Sequence, residues 1–180
     1  MAKREPYIIN ISGLNQGDHD FNFTLHDPFF ELFDEAEFKK GKLDVSLKLE
    51  KHSGGLMILY FEIKGTVQLP CDRCGNDIDF PIHTNDRLYV KQGSFHANEE
   101  DGDNENVINI AENETEINLA QPLYEFISVS IPLKRVLEKC ETDDSDCNKA
   151  VIEQLKKSEA QLNKISSDPR WDALKNIKLN

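Results

Sequence analysis

Hydrophobic and polar residues alternate along the middle of the chain. The odd positions of 43–49 are Leu or Val while the even positions are polar, and the same alternation recurs over 56–69 and 77–89. Period-two alternation is typical of strands that have one face in a core and one in solvent. Gly54-Gly55 predicts a turn between the first two strands, and Gly65 predicts a bulge within the second. The pattern predicts an antiparallel β-meander.

The flanking regions add two strands and three helices to this prediction. Short β-favouring segments at 7–11 and 21–26 are separated by turn residues. Helical spacing predicts helices over 28–39, 120–129 and 149–165, the first of which follows an Asp cap and an N1 proline. Its four phenylalanines are expected to face a core. We expect one α+β domain, with an antiparallel sheet of about five to seven strands and helices packed against it.

The length and charge of the chain disfavour several classes of protein. The chain has 180 residues, enough for a single domain over 1–180, and a net charge of −12 disfavours a generic nucleic-acid coat. No apolar run is long enough for a membrane span and no secretory signal is visible, so we expect a cytoplasmic protein. Residues 97–106 carry five acids and predict a mobile acidic loop, whereas 149–180 hold seven bases and four acids. Residues 166–180 are expected to form a tail in which Trp171 packs on the domain.

Four cysteines carry the most specific chemistry in the sequence. Cys71 and Cys74 are separated by two residues and followed by Gly75, an arrangement that lets two sulfurs converge on one ion. Tetrahedral zinc takes four ligands, and the remaining two thiols of the chain are Cys140 and Cys147. The sequence therefore predicts a structural zinc site with Cys71, Cys74, Cys140 and Cys147 as ligands.

Charge and spacing leave more than one arrangement open at this site. Six residues separate the second cysteine pair, and four acids lie in or beside it: Glu141, Asp143, Asp144 and Asp146. Three bases are expected to offset the negative charge: Arg73, Lys139 and Lys149. Should they not suffice, His83 or water could be the fourth ligand, or three thiolates could form the site. The cysteines could also be thiols without a metal, or Cys71 and Cys74 could form a redox pair.

We find no positive sign of an enzyme. The five histidines show no metal-ligand spacing, and the sequence has neither a Gly-x-Ser-x-Gly nucleophile motif nor a glycine-rich phosphate loop. We therefore predict no catalytic residues and no small-molecule substrate.

Four segments carry a resemblance to a known family. They are, in chain order, Leu69-Pro70-Cys71-Asp72-Arg73-Cys74-Gly75, Ile117-Asn118-Leu119, Ile131-Pro132 with Cys147 beyond it, and Asp168-Pro169-Arg170-Trp171-Asp172-Ala173-Leu174. Together they resemble the YceD family of large ribosomal RNA subunit accumulation proteins, over about residues 40–177. The first 40 residues show no such match. One departure is Leu137, because family members commonly have a histidine at that position; Cys140 is then expected to replace it.

The resemblance implies a function without catalysis. It implies a bacterial cytoplasmic factor that supports synthesis, stability or assembly of large-subunit ribosomal RNA, with a ribosomal protein or pre-ribosomal particle as partner. Direct RNA contact would use the bases near the carboxy terminus: Lys156, Lys157, Lys164, Arg170, Lys175 and Lys178. The competing interpretation of these bases is a solvated helix face. The competing function is thiol redox or metal handling by the Cys-x-x-Cys pair.

Overall fold

Three strands lie where the alternating pattern predicts them, over 41–51, 56–70 and 77–92, whereas the strands at 107–110 and 116–118 were not predicted. The structure is a computed structural model that describes residues 7–34, 36–93, 106–144 and 147–162. The chain divides into two compact units. The first comprises Met1–Leu69 and Ile78–Arg135, and the second comprises Pro70–Asp77 and Val136–Asn180.

A five-stranded sheet forms the centre of the first unit. Its strands are β2 (Gly17–Leu25), β3 (Gly41–Lys51), β4 (Leu56–Pro70), β5 (Asp77–Gln92) and β6 (Val107–Ile110), in the spatial order β2-β3-β4-β5-β6. The pairs β2/β3 and β3/β4 are antiparallel, and Leu47 lies opposite Phe21 on one side and Phe61 on the other. The alternation predicted from the sequence is confirmed, since the odd positions of β3 from Leu43 to Leu49 are buried.

The last strand pair corrects the antiparallel prediction. β6 runs parallel to β5, with Tyr89 opposite Val107 and Gln92 opposite Ile110, so the sheet is mixed. A parallel pair needs a crossover of about a dozen or more residues. Residues 93–106, which connect β5 to β6, number 14 and are therefore long enough for such a crossover. Alternation of polar and apolar residues does not reveal the direction of a strand, so the sequence contains no sign of the parallel pairing.

A smaller sheet and the helix that follows it also belong to the first unit. β1 (Ile8–Asn10) pairs antiparallel with β7 (Glu116–Asn118), and α2 (Ala120–Ser130) follows directly, close to its predicted limits. The buried side chains of α2 belong to the same hydrophobic core as β3 and β4. Phe61 and Phe126 are in contact there, with ring centroids 5.4 Å apart.

The helix predicted over 28–39 is wrong in length. Only one turn, α1 (Asp27–Phe30), is helical. The reason is that Asp27 Oδ1 accepts a hydrogen bond from the Gly41 amide at 2.9 Å, which brings the two ends of the segment together. A straight 12-residue helix would hold them about 18 Å apart.

The aromatic residues of this segment nevertheless form core, as predicted. Phe29, Phe30 and Phe38 are buried, and the Phe30 ring contacts both of the others at a centroid distance of 5.2 Å. Phe33 stacks on Tyr124 of α2 at 4.2 Å. Edge-to-face and offset-stacked ring pairs add stability beyond the burial of area. The aromatic cluster therefore holds the loop onto the core without a long helix.

The bulge predicted at Gly65 is also wrong with respect to β3. Pairing of β3 with β4 continues without interruption through Gly65, which lies opposite Leu43. The glycine has φ 150°, and a Cβ atom there would collide with the Lys42 carbonyl oxygen. Close backbone approach, and not an extra residue, is what requires glycine at this position.

The second unit contains two helices, α3 (Glu138–Thr142) and α4 (Lys149–Leu162). The sequence predicts α4, including its Asn148 cap, whose Oδ1 accepts a hydrogen bond from the Val151 amide at 3.5 Å. No described helix is both long and apolar enough to cross a membrane. The predicted acidic loop, apart from Asn106, and the predicted tail with Trp171 lie outside the described residues.

Candidate metal centre

The first cysteine pair sits on a tight turn between β4 and β5. The Cys71 amide donates to the Asn76 carbonyl and the Gly75 amide donates to the Cys71 carbonyl, each at 2.8 Å. Gly75 has φ 73°, in the left-handed region that glycine adopts without steric cost. These bonds fold the Cys-x-x-Cys segment back on itself, so that both thiols lie on one side of the turn.

The second cysteine pair, Cys140 and Cys147, lies at the junction between α3 and α4. Cys140 lies in α3, where its amide donates to the Leu137 carbonyl at 2.8 Å, and Cys147 precedes the Asn148 cap of α4. Six residues between two cysteines is a long spacing for a zinc knuckle. Part of this intervening segment is helical, because α3 continues to Thr142. The sequence pattern does not predict α3, because five residues are too few for a helical period to be visible.

The structure brings the cysteines together. The Sγ atoms of Cys71, Cys74 and Cys140 all lie within 4.8 Å of one another, and all three residues are buried. Four sulfurs around a tetrahedral zinc lie about 3.8 Å apart, given Zn–S bonds of about 2.3 Å. Cys147 is also buried, but its sulfur is not part of this group of three mutually close sulfurs. The donor set therefore fits a thiolate-bound ion such as zinc.

The thiols of Cys74, Cys140 and Cys147 have different proton affinities. Backbone N–H groups of Asn148 and then of Asn76 lower the pKa of Cys74 to about 7. Burial, reinforced by the neighbouring thiols, raises the pKa of Cys140 to about 12, and burial also raises the pKa of Cys147. Packing several thiols in one dry site opposes their ionisation, and a divalent cation removes that penalty. A bound metal cation would therefore make ionisation of the clustered thiols favourable.

Asp144 connects the cysteine turns to α4. Its carboxylate forms ion pairs with Arg73 Nη1 at 2.9 Å and with Lys156 Nζ at 2.7 Å. Lys156, then Arg73, lower the pKa of Asp144, while Asp144 and, to a smaller extent, Cys147 and Cys140 raise the pKa of Arg73. The predicted role of Arg73 as a counter-charge beside the thiols is therefore supported by its position. Nothing in the sequence pattern identifies Asp144 as the shared partner.

Replacement of Asp144 by asparagine should loosen the start of α4. Because the uncharged amide would not attract Arg73 and Lys156, we expect faster amide hydrogen exchange in α4 and a melting temperature lower by a few degrees. The loss should shrink in about 1 M salt, which screens the ion pairs of the native protein. Glu153→Gln, at an exposed position of the same helix, is the matched control. Equal effects of the two variants would contradict this role.

The remaining residues singled out from the sequence lie in several places. His83, the candidate replacement for the fourth ligand, is in the first unit, with its Nε2 3.7 Å from a Glu62 carboxylate oxygen. Lys156 and Lys157 are exposed on α4, and Lys156 is paired with Asp144. The bases beyond residue 162 and Asp146 lie outside the described residues.

Fold and site together define an α+β protein with a mixed sheet and a separate buried cysteine cluster compatible with metal binding. A family model described as "Large ribosomal RNA subunit accumulation protein YceD" matches residues 59–178, which is two thirds of the chain. The chain belongs to the YceD family, which confirms the resemblance; the match begins later than the predicted residue 40. Comparisons with curated proteins and with solved structures give no significant match.

Proposed function

We propose that this protein is a non-catalytic factor that supports the synthesis, stability or assembly of large-subunit ribosomal RNA. The observation that carries the proposal is the family match over 59–178, which includes all four cysteines. The description of the family names accumulation of that RNA. The described residues provide a buried thiol cluster that is compatible with metal binding.

In this proposal zinc has a structural role. Cys71, Cys74, Cys140 and Cys147 would hold the ion, and it would join the turn after β4 to the segment between α3 and α4. The two cysteine pairs are 66 residues apart from Cys74 to Cys140, so a shared ion closes a long loop. Binding energy of a structural metal becomes folding energy, and the second unit is the part of the chain that would gain it.

The proposed setting is the cytoplasm and the proposed partner is a ribosomal protein or pre-ribosomal particle. The net charge of −12 supports a basic protein as the direct contact and disfavours extensive contact with phosphates. Lys157 and the bases beyond residue 162 could still touch RNA locally.

Depletion of the protein should lower the ratio of large to small ribosomal RNA. The tagged protein should sediment with large-subunit precursors in a sucrose gradient. Re-expression of the wild type or of Glu153→Gln should restore the ratio, whereas Cys71→Ser/Cys74→Ser should restore it poorly because the cluster is lost. An unchanged ratio together with protein only at the top of the gradient would contradict the proposal.

Thiol redox or metal handling is the second candidate, favoured by the Cys-x-x-Cys spacing and by the low pKa of Cys74. All four cysteines are at most 5% exposed, which opposes exchange with an external disulfide. Rapid alkylation of the zinc-loaded native protein at Cys71 or Cys74 would favour this candidate.

A further inference from the structure

A concavity in the described part of the chain belongs to the first unit, whereas the cysteines belong to the second. It lies on the solvent-facing side of the five-stranded sheet and has a volume of about 1070 Å³. Side chains that line it come from four neighbouring strands and include Asn22, Ser46, Tyr60, Asn85, Arg87 and Tyr89. We call this concavity the sheet groove. Small-molecule pockets are mostly apolar, whereas this lining is rich in polar groups, so a macromolecular ligand fits it better.

Several polar groups of the sheet groove have no partner among the described residues. The side-chain amides of Asn22 and Asn85 make no hydrogen bond to any residue that the structure describes. Tyr60 is 37% exposed and presents its ring to solvent. Tyr, Asn, Ser and Arg are the residues that protein-binding surfaces favour, because they combine contact area with adaptable hydrogen bonding.

The charged residues of the sheet groove favour a protein over a nucleic acid as its ligand. Lys48, one of its two cations, is already held by Asp18 at 3.0 Å and by Glu50 at 2.8 Å. The second cation, Arg87, lies over the ring of Tyr89 with its Cζ 5.2 Å from the centroid. The lining also contains three carboxylates: Glu62 is paired with Lys64, Asp86 accepts a hydrogen bond from Thr84 Oγ1 at 2.6 Å, and Asp20 is exposed. Phosphate binding gains its energy from several free cations, and this groove does not supply them.

We propose that the sheet groove is the docking surface for a basic polypeptide segment. Arginine or lysine side chains of the partner would pair with Asp20 and Asp86 and lie against the ring of Tyr60, while Asn22 and Asn85 hydrogen-bond its backbone. The net charge of −12 of the whole chain agrees with a basic partner. This inference names the class of partner for the proposed function and therefore rests on that function.

The test is direct binding of a defined probe to the full-length, zinc-loaded protein. The probe is a fluorescein-labelled octapeptide of alternating arginine and glycine, measured by fluorescence anisotropy. Asp20→Asn/Asp86→Asn should weaken its binding at least about fivefold, as expected for the loss of charge-assisted contacts. Tyr60→Leu, which leaves the charge unchanged, should weaken it about threefold or more. Melting curves establish that each variant is folded.

A charge-matched control separates docking from general attraction. Glu153→Gln/Glu159→Gln on α4 removes the same two charges at exposed positions that are not part of the groove lining. It should change the affinity less than about twofold. Equal weakening by both double variants, no effect of Tyr60→Leu, or tighter binding of a single-stranded RNA 12-mer that depends on Tyr60 would each overturn the proposal. Because this assay does not involve ribosomal RNA levels, its failure is distinguishable from failure of the proposed function.

Discussion

Removal of the proposed zinc by a strong chelator should unfold the second unit of this protein. Amide protection should be lost in the cysteine turn at 71–77 and in α3 and α4, while β3 and β4 retain theirs. The physical reason is that Cys71, Cys74 and Cys140 are buried with their sulfurs within 4.8 Å of one another, an arrangement that favours a bound cation. Structural zinc contributes about 10–16 kcal/mol in isolated zinc-finger peptides.

The expected change in thermal stability is large. Loss of even about 5 kcal/mol corresponds to about 10–20 °C in the melting temperature of a chain of this size. Elemental analysis should find one zinc per chain before treatment, and the thiols should react with an alkylating reagent only after chelation. The chelator preloaded with zinc is the matched control. An unchanged melting curve after proven zinc removal would contradict a structural role.

Single substitutions extend the same prediction to each ligand. Cys71→Ser, Cys74→Ser and Cys140→Ser should each lose most of the zinc, because each removes one of the three mutually close sulfurs. Cys147→Ser should retain more zinc, since it leaves the three mutually close sulfurs in place and a water can complete the tetrahedral shell. Full zinc occupancy in Cys140→Ser would contradict the assignment of that residue as a ligand.

Patterns with a short period allowed prediction from the sequence alone. The sequence predicted the limits of β3, β4 and α2 closely. The reason is that the period of the apolar residues shows which residues of a strand or helix are buried. The convergence of Cys71 and Cys74 with Cys140 was predicted from ligand chemistry, although the last of these is distant in the chain. β6 was not predicted, because its four residues are too few to show a period, and side-chain alternation would in any case be the same in both strand directions.

Contacts between distant residues account for the remaining errors. The 28–39 segment has the residues of an amphipathic helix, but the bond from the Gly41 amide to Asp27 closes it into a loop. Asp144 is one of several acids near the second cysteine pair, and only the fold shows that Arg73 and Lys156 share it. Likewise, the sheet groove combines residues from four strands, and no linear motif marks it.

Gly65→Ala should be the most destabilising small substitution in the first unit. The added Cβ would collide with the Lys42 carbonyl oxygen and lie 2.8 Å from Leu43 Cα, and both atoms belong to the backbone of β3. A side chain at φ 150° is strained as well. Because Leu43 is fully buried opposite Gly65, β3 cannot move aside without disturbing the core. We expect a loss of about 3 kcal/mol or more in the free energy of unfolding.

Gly54→Ala is the matched control for this substitution. Gly54 also has positive φ, at 76°, but a Cβ there meets no atom within 4 Å, so its cost should be limited to about 1–2 kcal/mol of backbone strain. Urea unfolding of the zinc-loaded variants, followed by far-UV circular dichroism, measures the difference. If the two alanine variants are equally stable, the continuous β3/β4 register at Gly65 is incorrect, and the bulge predicted from the sequence becomes the better description of this strand.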